Sequence, residues 1–254
     1  MTERQEQILS ELIKEYVKRA EPVSSNFLVE KCARLPNGQG FKCSPATIRA
    51  EMMNLEKEGF LVQPHTSAGR VPTDKAYRFI VDKLLGEEKK GEEEKNALPQ
   101  KDRQIINETI RTSPQEPHAI SSRLARAVAG LTNDFVISGI LDTGDFYRVG
   151  VANILEMPEF EDIDNIFEFG SVFDGFEEHF NSLFNDFPGE NLVVYIGREN
   201  PFKESRNGTV MVTRYPLPEG YEGISALIGP IRMAYDRNMA LLKYVSKRMN
   251  QGKW

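Results

Sequence analysis

The first 85 residues carry stripes of apolar side chains at helical spacing, separated by short polar turns. Apolar residues recur every three or four positions over residues 8–17, which predicts an amphipathic helix. The sequence Thr2-Glu-Arg-Gln has the form of a capping box, whose side chains satisfy free backbone N–H groups at a helix start. Pro22 ends this helix, and Ser24 can cap a second, shorter one.

A third helix is predicted from Pro45 to about Glu58. Ser44 supplies a capping hydroxyl, and proline suits the first helical position because its missing N–H would be unpaired there. The apolar residues at positions i, i+4 and i+7, which we expect to face the core, are Ile48, Met52 and Leu55. The other side of this helix is small and polar.

A strand–loop–strand pattern follows the third helix. Residues 60–63 and 70–71 fit two short strands, residues 64–69 form a polar turn, and Thr73 can cap a fourth helix. This order of elements is that of a helix-turn-helix followed by a wing, in which the third helix enters the major groove of DNA. A three-helix module with a hairpin also occurs in protein–protein adaptors, so the pattern alone leaves both classes open.

If the module binds DNA, twelve residues are candidates for the contact. On the third helix we expect Asn54 to lie nearer the DNA backbone and a second set to face the base edges, namely Ser44, Ala46, Thr47, Arg49 and Ala50. Hydroxyl, imidazole and guanidinium groups suit phosphate and sugar. The residues that offer them at the second helix start and in the wing are Ser24, Ser25, His65, Thr66, Ser67 and Arg70.

The distribution of charge is compatible with a DNA-binding N-terminal region. The net charge is −6, yet residues 1–85 carry 13 Lys and Arg against 11 Asp and Glu, and the remainder carries 19 against 27. Only the surface that contacts DNA has to be positive. Residues 86–101 are highly charged and almost devoid of apolar groups, which predicts a solvated linker. We therefore predict a winged-helix domain at 1–85, this linker, and a second domain at 102–254.

The second domain mixes helical and strand patterns. Strands are predicted at 135–142, 147–154, 191–197, 209–216 and 223–228, and helices at 102–112, 119–132, 170–183 and 230–249. Several strands with flanking helices fit an α+β sensor domain of GAF type. The phenylalanines of residues 160–187 favour a core over a ligand pocket. Arg232 and Arg237 can either form ion pairs with carboxylates of this acidic domain or bind an effector.

Several stretches of this sequence are distinctive. The longest runs from Pro64 to Asp82 and contains the uncommon sequence His-Thr-Ser-Ala-Gly-Arg. The others are Thr2–Gln5, Glu21–Val23, Ser44–Met52, Leu55–Leu61, Ala152–Phe160, Ile228–Arg237 and Tyr244–Arg248. These stretches resemble, in the same order, the HrcA family of bacterial heat-inducible transcription repressors.

The resemblance implies a winged-helix domain followed by a GAF-like domain. It also implies a homodimer that represses chaperone genes by binding double-stranded DNA at an inverted repeat, the CIRCE operator, and that is kept active with the help of the chaperonin GroEL. The competing hypothesis is a ligand- or chaperone-binding sensor module whose winged helix is mainly a protein-interaction surface.

One part of the family pattern is missing from this sequence. Members of the family usually carry an inserted dimerising domain before the element that resembles Ala152–Phe160. Here residues 131–144 run almost directly into Tyr147, so we predict that the insert is absent or reduced to a turn. A dimer then needs another contact, which the helix at 102–112, the helix at 119–132 or the final helix can supply. We favour the final helix because its apolar face continues to Tyr244 and Met249.

No enzymatic chemistry is predicted. His65, His118 and His179 are scattered, and neither His-Glu-x-x-His nor Gly-x-Ser-x-Gly occurs. Cys32 and Cys43 lack the second pair that zinc sites use, so we expect free thiols and predict no metal and no cofactor. The apolar runs fall far short of the ~20 residues that a membrane span needs. We therefore expect a cytoplasmic protein with no membrane contact.

Overall fold

The computed structural model of the chain describes residues 1–33, 43–89, 98–179, 192–201 and 207–252. The chain forms two compact units, Met1–Lys89 (unit 1) and Lys90–Trp254 (unit 2). Helices and antiparallel sheets occur together, which confirms the α+β class. Among the described residues, no helix combines the length and the apolar character needed to cross a membrane.

Unit 1 consists of helices and one two-stranded antiparallel hairpin. The elements are α1 (Glu3–Arg19), α2 (Ser25–Ala33), α3 (Pro45–Lys57), β1 (Leu61–Val62), β2 (Val71–Pro72) and α4 (Asp74–Lys89). The apolar face of each helix turns inward, and the core residues with no exposed surface include Ile8, Leu9, Leu12, Leu28, Ile48 and Leu55. The predicted capping box is confirmed, because Thr2 and Gln5 bond each other's backbone N–H groups.

Unit 1 differs from the sequence predictions at its C-terminal end. The Thr73 hydroxyl donates to the carbonyl oxygens of Gly59 and Phe60, so it ties the start of α4 to the segment between α3 and β1. Helix α4 continues to Lys89 because Glu and Lys are good helix formers, so the predicted linker is helical at 86–89. The predicted turn at 35–40 and residues 90–97 of the linker lie outside the described residues.

Unit 2 is built on a five-stranded antiparallel sheet in the order β4-β3-β7-β6-β5. The strands are β3 (Phe135–Ile140), β4 (Asp145–Val149), β5 (Leu192–Ile196), β6 (Gly208–Pro216) and β7 (Glu222–Pro230). The helices are α5 (Gln100–Thr112), α6 (Pro117–Thr132), α7 (Val151–Leu155), α8 (Ile163–His179) and α9 (Tyr235–Met249). A short 3₁₀ segment, Pro158–Glu161, lies between α7 and α8.

Helices cover both faces of this sheet. On one face, Phe135 and Ile137 of β3 share a core cluster with Ile154 of α7 and Phe176 of α8. On the other face, Ser138 Oγ lies 3.2 Å from Ser121 Oγ of α6. The side chains of β3 alternate between the two faces, and both sets are buried.

Three element boundaries of unit 2 were predicted wrongly. The strand at 147–154 ends at Val149, because Gly150 adopts a φ of +92° and turns the chain into α7. Helix α8 begins at Ile163 rather than 170, since the Asp162 side chain accepts the N–H of Asp164; residues 180–183 lie outside the described residues. The final helix begins at Tyr235, because Pro230 is the last residue of β7.

Asp134 is a buried carboxyl that joins the sheet to α9. It precedes β3, and its Oδ2 accepts a hydrogen bond from Asn238 Nδ2 at 2.8 Å. Burial raises the pKa of Asp134 to about 7. Hydrogen bonds from Asn238 and Thr132 and the charges of Arg232 and Arg237 act in the opposite direction but do not offset the burial.

We expect Asp134→Asn to remove a pH dependence of stability. The carboxyl ionises near 3.8 when unfolded and near 7 when folded. Between these two pKa values the folded state holds a proton that the unfolded state has lost. The stability that Asp134 contributes is therefore fully present below the unfolded pKa and is lost as the pH rises through the folded pKa. Melting temperatures of both proteins from about pH 5 to about pH 8 test this. The melting temperature of the variant should rise relative to that of the wild type as the pH rises. Parallel plots of melting temperature against pH would contradict the assignment.

Candidate nucleic-acid interface

The outer face of α3 is open to solvent along the helix. Beyond Pro45 in the first turn, its exposed residues are Ala46, Arg49, Ala50, Met53, Asn54 and Lys57. The buried residues on the opposite side are Ile48, Met52 and Leu55, as predicted. The two sets separate because residues three, four and seven apart share one side of a helix. The outer face can therefore enter a groove without disturbing the core.

Ser44 and Thr47 form the N-terminal cap of α3. Ser44 Oγ accepts the N–H of Thr47 at 3.1 Å, and the two hydroxyl oxygens lie 2.9 Å apart. Pro45 occupies the first turn, which confirms the predicted start signal. Both hydroxyls are thus engaged in the cap, while Ser44 itself remains exposed at the end of the helix where backbone N–H groups accumulate.

Arg49 and Lys57 are the two basic residues of α3. Neither forms an ion pair with a described residue. The carboxylates of the helix, in contrast, are matched by cations from elsewhere in unit 1: Glu51 lies 3.7 Å from Arg4, and Glu56 lies 2.9 Å from Arg70. A polyanion that approaches this helix therefore meets two cations that no described carboxylate neutralises.

The turn between β1 and β2 exposes three of the predicted contacts, His65, Thr66 and Ser67. Gln63 Nε2 holds the turn by donating to the carbonyl oxygens of Thr66 at 2.9 Å and Ala68 at 3.0 Å. The imidazole and the two hydroxyls are left facing solvent on the hairpin that directly follows α3.

Two predicted contacts of the DNA backbone lie inside unit 1 instead. The Arg70 side chain is only 13% exposed, and its Nε donates to Glu56 at 2.9 Å. Ser25 is buried, whereas its exposed neighbour Ser24 accepts the N–H of Phe27 at 3.3 Å and so caps α2. We therefore correct the expected roles: Arg70 joins the hairpin to α3, and Ser25 belongs to the packing of α2.

Two residues of the α3 surface escaped the sequence prediction. Met53 is 46% exposed, and Lys57 is also exposed. They follow Arg49 by four and eight positions, so helical spacing places them on the same side of the helix. The periodicity that identified the buried face could have found them.

Gly69 lets the hairpin approach the segment before α2. Val23 and Arg70 exchange two backbone hydrogen bonds, of 3.0 and 2.9 Å. A Cβ atom at Gly69 would lie 2.3 Å from the carbonyl oxygen of Val23. Because the obstacle is backbone, a side chain cannot swing away to relieve it.

We expect Gly69→Ala to lower the free energy of unfolding by about 1–3 kcal/mol, since the hairpin must shift to admit the methyl group. Gly86→Ala is the matched control, because a Cβ atom there meets nothing within 4 Å. In helix α4 it should be neutral or stabilising by up to about 1 kcal/mol. Urea denaturation followed by circular dichroism measures both, and equal effects would contradict the proposed close approach.

Comparison with known proteins identifies the family. Residues 83–239, more than half of the chain, match the family model described as HrcA protein C terminal domain. The chain belongs to the HrcA family. The resemblance found in the sequence is thereby confirmed.

Two HrcA relatives align with nearly the whole chain. The heat-inducible transcription repressor HrcA of Natranaerobius thermophilus is 28% identical over 97% of this chain and 95% of its own length. The protein of the same name from Alkaliphilus metalliredigens is 27% identical over 99% and 97%. The regulatory role in these names agrees with the prediction that the chain is not an enzyme.

A solved structure shares the fold. It is described as the crystal structure of a hypothetical protein at 2.2 Å resolution, and it matches with a TM-score of 0.72 and 21% identity. The match covers 99% of this chain and 98% of the other.

The HrcA alignment also bears on the missing insert. The alignment with the Natranaerobius protein runs over 336 positions, whereas this chain has 254 residues. The relative therefore contains residues that have no counterpart here. In the structure, residues 141–144 connect β3 directly to β4 in a hairpin whose last pair is Ile140 with Asp145. At the predicted place the chain carries a short turn.

Two of the HrcA-like stretches of unit 2 are joined by an ion pair. Arg232, in the stretch Ile228–Arg237, forms a two-pronged pair with Glu159 in the stretch Ala152–Phe160. Arg237 pairs with Asp102 of α5 at 2.9 Å. Of the two roles left open for these arginines, the structure shows ion pairing with carboxylates for both.

Proposed function

We propose that this chain is a transcription repressor of heat-shock genes that binds DNA through α3. In this proposal unit 1 is a winged helix-turn-helix and unit 2 is a GAF-like domain. The observation that carries it is the outer face of α3. Its exposed side chains are the small or polar Ala46, Ala50 and Asn54, one large apolar residue, Met53, and the cations Arg49 and Lys57, which form no ion pair with a described residue. The names of the HrcA relatives support the regulatory role.

The proposal gives each part of the interface a distinct task. Ala46, Arg49 and Ala50 face base edges in the major groove, which at ~12 Å is wide enough for a helix. Asn54 and Lys57, further along the helix, contact the DNA backbone. The remaining candidates contact phosphate or sugar, or they cap a helix N-terminus that does so. They are Ser24, Ser44, Thr47, His65, Thr66 and Ser67.

We further propose that the chain acts as a homodimer on an inverted repeat of the CIRCE type, since a two-fold protein matches a two-fold operator. The final helix does not offer the surface we expected for this dimer. Its apolar residues Leu242, Val245 and Met249 are fully buried within unit 2, and Tyr244 donates to Asn107 of α5 at 3.0 Å. GroEL stays a predicted modulator, implied by the family resemblance.

A reporter experiment tests the proposed function. The chain is expressed beside a reporter gene whose promoter carries a CIRCE-type inverted repeat, and the reporter signal is expected to fall and to recover on heat shock. A promoter with the repeat scrambled is the control and is expected to stay active. Equal signals from the two promoters would contradict repression through this operator and would favour the sensor hypothesis.

A further inference from the structure

Unit 2 exposes large apolar side chains in one short segment. Among the described residues, eight large apolar side chains are exposed, and five of them lie within residues 151–167. These five are Val151, Leu155, Ile163, Ile166 and Phe167, and we call them the α7–α8 surface. Exposed apolar side chains grouped in this way are typical of interaction sites.

Helix α8 is apolar on two sides. Its inner side packs in the core: the Phe169 ring lies 5.1 Å from that of Phe135, and Phe176 has no exposed surface. Ile163, Ile166 and Phe167 follow the i, i+3, i+4 pattern of a second stripe, in which Ile163 is 63% and Phe167 is 69% exposed. A helix that is apolar on both sides is normally covered on both.

The charge around this surface is negative. The sequence contains no lysine and no arginine between Arg148 and Arg198. Four carboxylates of the segment are exposed and form no ion pair with a described residue: Glu156, Glu161, Asp162 and Asp164. Like charges at an interface are unfavourable, so this surface disfavours DNA, an anionic membrane and a second copy of itself.

We propose that the α7–α8 surface binds a cationic amphipathic helix of a partner protein. The apolar stripe of such a helix covers Ile163, Ile166 and Phe167, and its Lys and Arg side chains reach the surrounding carboxylates. The inference concerns unit 2 and goes beyond the proposed DNA binding, which rests on α3.

Fluorescence anisotropy with a synthetic probe tests this proposal on the full chain. The probe is a labelled amphipathic peptide of about 18 residues built from Leu and Lys at helical spacing, long enough to form a helix on binding. We expect it to bind, and the double variant Ile163→Ser, Phe167→Ser to lower its affinity by about tenfold or more, because the apolar area is lost while the charge is unchanged. Val62→Ser is the control, since this side chain is 46% exposed in unit 1, and it should leave the affinity unchanged.

Four results would overturn the proposal. One is that a peptide of the same composition in scrambled order binds as tightly as the probe. Another is that the double variant binds the probe as tightly as the wild type. Both results would indicate attraction by charge alone. A lower melting temperature of the double variant would show that the chain's own residues cover the stripe. Conversion of a dimer to a monomer by the double variant, seen in sedimentation, would show that a second copy covers it.

Discussion

Replacing Arg49 by alanine is expected to remove about 1–3 kcal/mol of the discrimination between the operator and operators with a changed base pair. The reason is the placement of this side chain. It lies on the exposed face of α3, one turn from the Ser44 cap, and forms no ion pair with a described residue. A guanidinium that is free in this way can donate two hydrogen bonds to one guanine, a pattern that no other base pair offers in the same position.

The matched control for Arg49→Ala is Lys57→Ala on the same face. We expect Lys57→Ala to weaken all duplexes alike and to reduce the dependence of log affinity on log salt by about one unit, as the loss of one phosphate contact does. Anisotropy titrations of both variants against the operator and single-base variants at two salt concentrations separate the two roles. A uniform loss for Arg49→Ala would reassign Arg49 to phosphate and contradict its role at the bases.

The largest effect on stability is expected for Gly150→Ala, a loss of about 3 kcal/mol in the free energy of unfolding. Gly150 has a φ of +92°, which side-chain-bearing residues rarely adopt, and a Cβ atom there would lie 2.4 Å from the carbonyl oxygen of Asp134. The strained backbone and the close contact therefore act together. Gly150 also sets the direction of the chain from β4 into α7, so the α7–α8 surface depends on it.

Gly144→Ala separates these two causes. Gly144 also has a positive φ, +72°, but a Cβ atom there meets nothing within 4 Å. Only the backbone strain remains, so we expect a loss of about 1 kcal/mol. Urea denaturation followed by circular dichroism compares the two variants. Equal losses would contradict the proposed clash with Asp134.

The helices of unit 1 could be predicted from local signals. The Thr2 capping box and the Ser44-Pro45 start are decided by neighbouring residues, and the buried stripe of α3 follows from periodicity. Pro230 shows the limit of such signals. Proline is as compatible with the end of a strand as with the first turn of a helix, and the pairing of β7 with β6 decided between them.

The candidate interface was predictable where it depends on helical spacing and not where it depends on distant contacts. The exposure of Arg49 follows from its position outside the buried stripe of Ile48, Met52 and Leu55. Arg70 looked equally suited to phosphate, but its pairing with Glu56, 14 residues earlier, required the hairpin to fold back against α3. No local pattern in the sequence encodes that contact.

The measurement that tests the central claim most directly is an anisotropy titration of a labelled CIRCE-type inverted repeat and of a scrambled duplex with the full chain. We predict a preference for the repeat of about 10³-fold or more, with an affinity that falls as salt rises. A single half-site is expected to bind much more weakly, because only one unit 1 can then engage. Equal and weak binding of the repeat and the scrambled duplex would contradict sequence-specific recognition of this operator by α3.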